Sequence, residues 1–230
     1  MVLLVLIGGS GSMPAGSSVP PGWNLPQLSW FVARLPTPPP PHSFKDRIDV
    51  RHTIAVQSAA GEADFRRAIE SNEFNVFSFS PSVGANFSAD RFPLTARFFE
   101  HLQGVVDDVT GRLKLHYRRE RLEITHPGKT KLLVSRPPGF AYPSGHTTRA
   151  QVFALVLAEL RPASRARLLS QAAGIGHDRV LTGQHYYSDV ATGRILGRLI
   201  FRELMADPAF VADLEVLKNS EWLSPVSSSR

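Results

Sequence analysis

A chain of 230 residues with net charge +6 is long enough for one ordinary domain with a sizeable core, and its charge suits an anionic partner. It contains no cysteine, which excludes a disulfide framework, a zinc-thiolate site and a thiol nucleophile. The one dense basic cluster, Arg118-Arg119-Glu120-Arg121, reads as a solvated helix face rather than a nucleic-acid arm, so no nucleic-acid partner is expected.

In chain order, Met1 to Ile7 is apolar and leads into Gly8-Gly9-Ser10-Gly11-Ser12. This is a partial match to a secretory signal, since no Lys or Arg precedes it, and it points to a periplasmic or secreted protein. Residues 1–44 are rich in Gly, Ser and Pro and end near Pro38-Pro39-Pro40-Pro41, the composition of an arm. The folded domain is expected over residues 45–207, with a tail at 208–230. Phe44 to Ser71 mixes charged and apolar residues at helical spacing, and Asn75 to Pro93 reads as a loop.

Pro93 suits a first helical turn, and the stripe from Leu94 to Leu113 predicts a long buried helix continuing to Leu122. A third helix is expected from Pro143-Ser144 to Leu160, a fourth over about 164–182 and a fifth over about 188–205, with Pro208 breaking the pattern. Alternation with period two is scarce, so the fold class is all-α, a single helical bundle. A membrane span needs about 20 apolar residues. The best stretch, Val152 to Leu160, already contains Glu159, so no span is expected.

Three segments carry chemistry. Tyr142-Pro143-Ser144-Gly145-His146 opens an apolar helix, where unpaired backbone N–H groups and partial positive charge receive anions. Ser144 adds a hydroxyl, Gly145 lets an oxyanion approach the backbone, and His146 stands in the first turn. Taken alone, an N-cap serine and a surface histidine explain this segment equally well. Arg179 is followed six residues later by His185 and then, at four more, by Asp189. If helical, His185 and Asp189 share a face, and Asp189 holds one imidazole nitrogen while the other is free to attack or to bind metal. Arg179 supplies a planar fork for phosphate oxygens. Lys114 and Arg121 are two helical turns apart, which places both cations on one side.

Together these segments resemble the signature of the type 2 phosphatidic acid phosphatase and haloperoxidase superfamily: Lys-x6-Arg-Pro, then Pro-Ser-Gly-His, then Ser-Arg-x5-His-x3-Asp. Pro143-Ser144-Gly145-His146 matches in full. The last motif matches at Arg179, His185 and Asp189, with Asp178 in place of serine. The run Val190 to Gly197 and the proline-rich lead-in from Leu35 resemble the class A non-specific acid phosphatases. For the first motif, Lys129 and Arg136-Pro137 match literally, while Lys114 and Arg121 match in spacing with Leu122 in place of proline. Lys114 and Arg121 are preferred, because Pro127-Gly128 and Pro137-Pro138 interrupt the other pair and leave only a short loop before Pro143.

The resemblance implies an acid phosphatase that hydrolyses small phosphate monoesters without metal or cofactor, through a phosphohistidine. In that scheme His185 is the nucleophile, Asp189 orients it and His146 is acid and base. Lys114, Arg121, Ser144, Gly145 and Arg179 bind phosphate. An acidic optimum follows if His146 starts protonated and His185 neutral. Vanadate-dependent haloperoxidase chemistry, a weakly active phosphate-binding member and a metal-dependent hydrolase ligated by His146, His185 and Asp189 are the alternatives. Homo-oligomerisation is left open. His42, His52, His101, His116, His126 and His177 have no spacing that suggests ligation and read as surface or core residues.

Overall fold

The computed structural model describes residues 22–223, and within them every regular element is helical. The signal-like start lies outside the described residues. In chain order the α-helices are α1 (Leu28–Val32), α2 (Phe44–Ala59), α3 (Glu62–Glu70), α4 (Ser80–Val83), α5 (Pro93–Tyr117), α6 (Leu122–Thr125), α7 (Gly145–Leu160), α8 (Arg165–Leu181), α9 (Tyr187–Ala206) and α10 (Pro208–Leu217).

The centre of the bundle is α7, where 12 of 16 residues are buried. Its sequence explains this, because Val152 to Ala158 is apolar on every side and such a helix is stable only when surrounded. The helices α8 and α9 pack on it most extensively, with α5 against another side. Close approach depends on small residues. A Cβ built on Gly193 would lie 2.8 Å from the Ser144 carbonyl oxygen, and one on Gly197 would lie 2.7 Å from Gln151 Cβ. These two glycines, one turn apart on α9, let its backbone press against the start of α7.

Four expectations change. Helix α5 stops at Tyr117 instead of Leu122, because Arg118 adopts a left-handed φ of 48° and its N–H caps the Lys114 carbonyl. No proline is needed for that stop; Leu122 instead opens α6 and is fully buried. The stretch read as an arm is docked in its described part. Trp23, Phe31 and Leu35 join the main core, and the Trp23 indole donates to Asp213 at 2.8 Å. Where a tail was expected after Pro208, that proline occupies the first turn of α10, which buries Phe210, Leu214 and Leu217. Asn75 to Pro93, read as a loop, contains a short 3₁₀ turn at Val76–Phe79 and α4.

Candidate active site

The helix start at Ser144 meets the helix start at Asp189. The Ser144 N–H donates to the Asp189 carbonyl at 3.1 Å, which locks the N-termini of α7 and α9 together. Asp189 is fully buried, and its carboxylate is engaged on both oxygens. Oδ2 accepts from the Tyr186 N–H at 3.0 Å, capping α9, and lies 3.2 Å from His185 Nδ1. Oδ1 accepts from Arg119 at 2.7 Å. His185 precedes α9 instead of lying within it, so its pairing with Asp189 arises from the capping turn, not from a shared helix face. With Nδ1 donating to the carboxylate, Nε2 is the nitrogen left with a lone pair.

The cations converge on this imidazole by different routes. Lys114, in the last turn of α5, donates to the Phe140 carbonyl at 2.6 Å. Arg121 lies beyond that helix, in extended backbone before α6, and clamps the carbonyls of Gly139 at 3.1 Å and Gln184 at 2.8 Å. The two therefore meet through the 139–140 loop, although they do not share a helix. Arg179, in the last turn of α8, is fully buried. Its terminal nitrogens donate to Asn72 Oδ1 at 2.9 Å and Gln184 Oε1 at 3.1 Å, while its Nε has no partner among the described residues. Of the literal alternative pair, Lys129 and Arg136 are exposed. Arg136 is close enough to Arg121 for its charge to act on it.

His146 is held by Nε2, 3.0 Å from the Asn72 carbonyl. The imidazole therefore donates from Nε2, and Nδ1 is the nitrogen that gains or loses a proton. Ser144 is buried and accepts from Thr147 Oγ1 at 2.9 Å, which leaves its own proton free to donate. The Gly145 N–H belongs to the first turn of α7 and has no intrahelical acceptor.

This arrangement strains every charge in it. Burial, then Lys114, Arg121 and Arg179, push His185 well below the usual imidazole range. Burial and the charge of Arg179 lower His146 to about 3. Burial and Arg121 lower Lys114 to about 8, and burial lowers Arg179 to about 10. Burial also raises Asp189, against the pull of Arg119. Lys114, Arg121 and Arg179 thus surround two imidazoles held toward the neutral form, and the positive charge of this arrangement favours an anion.

Sequence reasoning missed three residues. Arg119, assigned to a solvated face, is buried and also donates to Asp49 at 2.8 Å and Ser188 at 2.7 Å. Burial alternates here, with Arg118 and Glu120 exposed and Arg119 and Arg121 buried, but Arg-Arg-Glu-Arg carries no alternation of residue type that would reveal it. Gln184 bridges Arg121, Arg179 and, through Nε2, the Ser135 carbonyl at 3.2 Å. Asn72 bridges Arg179 and His146, and nothing in the sequence marks it. Asp178, the departure beside Arg179, is buried and bonds Ser71 Oγ at 2.8 Å and Arg67 at 3.3 Å. It makes no hydrogen bond to Arg179, whose terminal nitrogens are taken by Asn72, Gln184 and Ala68.

The all-helical bundle, with buried cations and two histidines gathered at two helix N-termini, is the frame into which the known relatives fit. A family model described as PAP2 superfamily matches residues 102–210. A protein named non-specific acid phosphatase from Salmonella typhimurium is 30% identical over 192 residues, covering 78% of this chain and 75% of the relative. One named acid phosphatase from Zymomonas mobilis is 30% identical over 143 residues, covering 61% and 54%. The chain belongs to the PAP2 superfamily. A solved transmembrane PAP2-type phosphatidylglycerolphosphate phosphatase from Bacillus subtilis is similar in fold, with TM-score 0.50 and 19% identity over 76% of this chain and 89% of that one. No helix among the described residues is long and apolar enough to cross a membrane.

Proposed function

We propose that the chain is an acid phosphatase acting on small phosphate monoesters through a phosphohistidine on His185, with no metal in the chemical step. The observation that carries this reading is the His185–Asp189 pair, at 3.2 Å, set among three cations whose charges all act on it. His185 Nε2 attacks phosphorus and the bond to the leaving oxygen breaks as the P–N bond forms. His146, protonated once the ester's negative charge offsets its cationic surroundings, passes that proton to the leaving alkoxide. Neutral again, it takes a proton from water, which attacks phosphorus and releases phosphate and His185. Lys114, Arg121, Arg179 Nε, the Ser144 hydroxyl and the Gly145 N–H hold the equatorial oxygens through both steps. Asp189 offers no open oxygen to a metal, since Arg119, Tyr186 and His185 occupy it, and this favours the positioning role over the ligand role.

The test is release of phosphate from an aryl phosphate between pH 5 and 7, with and without chelator. His185→Ala is expected to lose at least about 10⁴ in kcat, and wild-type turnover to persist in chelator. Acid-labile, base-stable phosphate trapped on the protein during turnover supports the covalent step. More than a few per cent residual activity in His185→Ala would sink the nucleophile assignment.

A further inference from the structure

Away from His146 and His185, the fold assembles a group of metal-competent side chains from residues whose spacing in the sequence does not suggest ligation. His42 precedes α2, Asp46 lies in its first turn, and His126 follows α6. One ligand atom from each lies within 4.8 Å of the other two. His126 Nε2 is 3.9 Å from Asp46 Oδ2, too far for a hydrogen bond, so the pair is not already satisfied by direct contact. Zinc bound at about 2.0–2.2 Å holds tetrahedral ligand atoms roughly 3.3 Å apart. Closure therefore needs movements of no more than about 1.5 Å, and His42 is exposed and His126 partly exposed.

Three details prepare the ligands. His42 adopts a left-handed φ of 62°, uncommon outside glycine, and its N–H donates to Asp46 Oδ2 at 3.0 Å, which keeps it against the carboxylate. His126 Nδ1 is 2.9 Å from the Thr125 hydroxyl, so Nε2 is left to face Asp46. A ligating imidazole is typically held in this way by an outer hydrogen bond on its other nitrogen. Asp46 is buried, and its second oxygen meets Arg119 at 3.4 Å. Two imidazoles and one carboxylate form a borderline donor set that suits zinc better than calcium or magnesium.

We propose that His42, Asp46 and His126 bind a divalent transition-metal ion, Zn²⁺ by donor chemistry, at a site separate from the phosphate pocket. The ion bridges the start of α2 to the end of α6 and binds only the folded chain, so it stabilises the fold by linkage. Asp46 shares Arg119 with Asp189, which places the metal one charged residue behind the pocket's orienting carboxylate.

Calorimetric titration of the full chain with ZnCl₂ tests this, alongside melting curves and the visible absorption of added Co²⁺. One zinc per chain, a raised Tm and a tetrahedral Co²⁺ spectrum are expected in the wild type. The same is expected in His185→Ala, where the pocket imidazole is gone. His42→Ala and His126→Ala should each weaken binding at least about tenfold and lose the cobalt spectrum. Both side chains reach the surface, so these variants keep the fold, and their metal-free melting curves check that. No uptake by the wild type, undiminished uptake in both histidine variants, or loss of uptake in His185→Ala alone would each overturn the assignment.

Discussion

A single guanidinium, that of Arg119, touches three buried carboxylates: Asp189 at 2.7 Å, Asp49 at 2.8 Å and Asp46 at 3.4 Å. It also stacks on the Tyr186 ring at 3.6 Å. Burial alone would lower its pKa, but Asp189 and Asp49 outweigh that and raise it, so the cation is secure at any working pH. Its contribution is geometric: Asp189 can aim His185 only while Arg119 balances its charge and occupies its other oxygen. Removing Arg119 outright leaves these carboxylates uncompensated, and Arg119→Ala should destabilise the fold by about 3–5 kcal/mol. Arg119→Lys separates positioning from folding, because an ammonium keeps the charge but cannot span three partners and a ring. Its expected signature is a kcat lower by roughly 10- to 100-fold with KM within about threefold. Steady-state kinetics on an aryl phosphate decide it; a KM rise with unchanged kcat would place Arg119 in substrate binding instead.

At the scale of elements, the site is a consequence of how closely α9 can approach α7. A Cβ on Gly197 would meet Gln151 Cβ at 2.7 Å and the Thr148 carbonyl at 2.9 Å, neither of which can retreat without moving α7. Gly197→Ala should therefore cost about 1–3 kcal/mol and displace Ser144 from Asp189, lowering activity along with Tm. Gly104→Ala on α5, where nothing among the described residues lies within 4 Å of an added Cβ, should be neutral or slightly stabilising. Equal melting points for the two variants would contradict the packing argument. The same elements show what was legible in the sequence. The buried stripes of α5 and α7 to α9 stood out because core burial imposes helical periodicity, and Ser144, His146, Arg179, His185 and Asp189 stood out because their spacing is tied to helix starts and ends. The turn at Arg118 did not, since an arginine in left-handed backbone has no compositional mark. Neither did Asn72 and Gln184, nor the nearness of His42 to His126, because those contacts depend on how distant segments pack.

For the whole molecule, the excess of six positive charges is partly concentrated in a buried pocket, and this links stability, anion binding and pH. Both pocket histidines have folded pKa values below the unfolded value of 6.5, with His146 near 3. Between those limits the unfolded chain binds more protons than the folded one. The stability they contribute is complete above about 6.5 and is lost as pH falls toward 3. Asp189 acts in the opposite sense, because its raised pKa lets the folded chain hold a proton that the unfolded chain has released. From the two histidines the anion-free protein should melt at lower temperature at pH 5.5 than at pH 7.5, and the opposite order would mean that Asp189 dominates this window. On the proposed function a bound dianion should reverse the balance, by neutralising Lys114, Arg121 and Arg179 and drawing protons onto the imidazoles. Sulfate is the clean probe, since it remains a dianion across this range and contributes no titration of its own. Its affinity should tighten at least about tenfold from pH 7.5 to 5.5, with protons taken up from the buffer. Its effect on Tm should be larger at the lower pH. Titration calorimetry in two buffers of different ionisation enthalpy measures both quantities. A sulfate affinity independent of pH would mean that the histidines do not share the anion's pocket, and His146→Ala, which should flatten the dependence, identifies which imidazole takes up the proton.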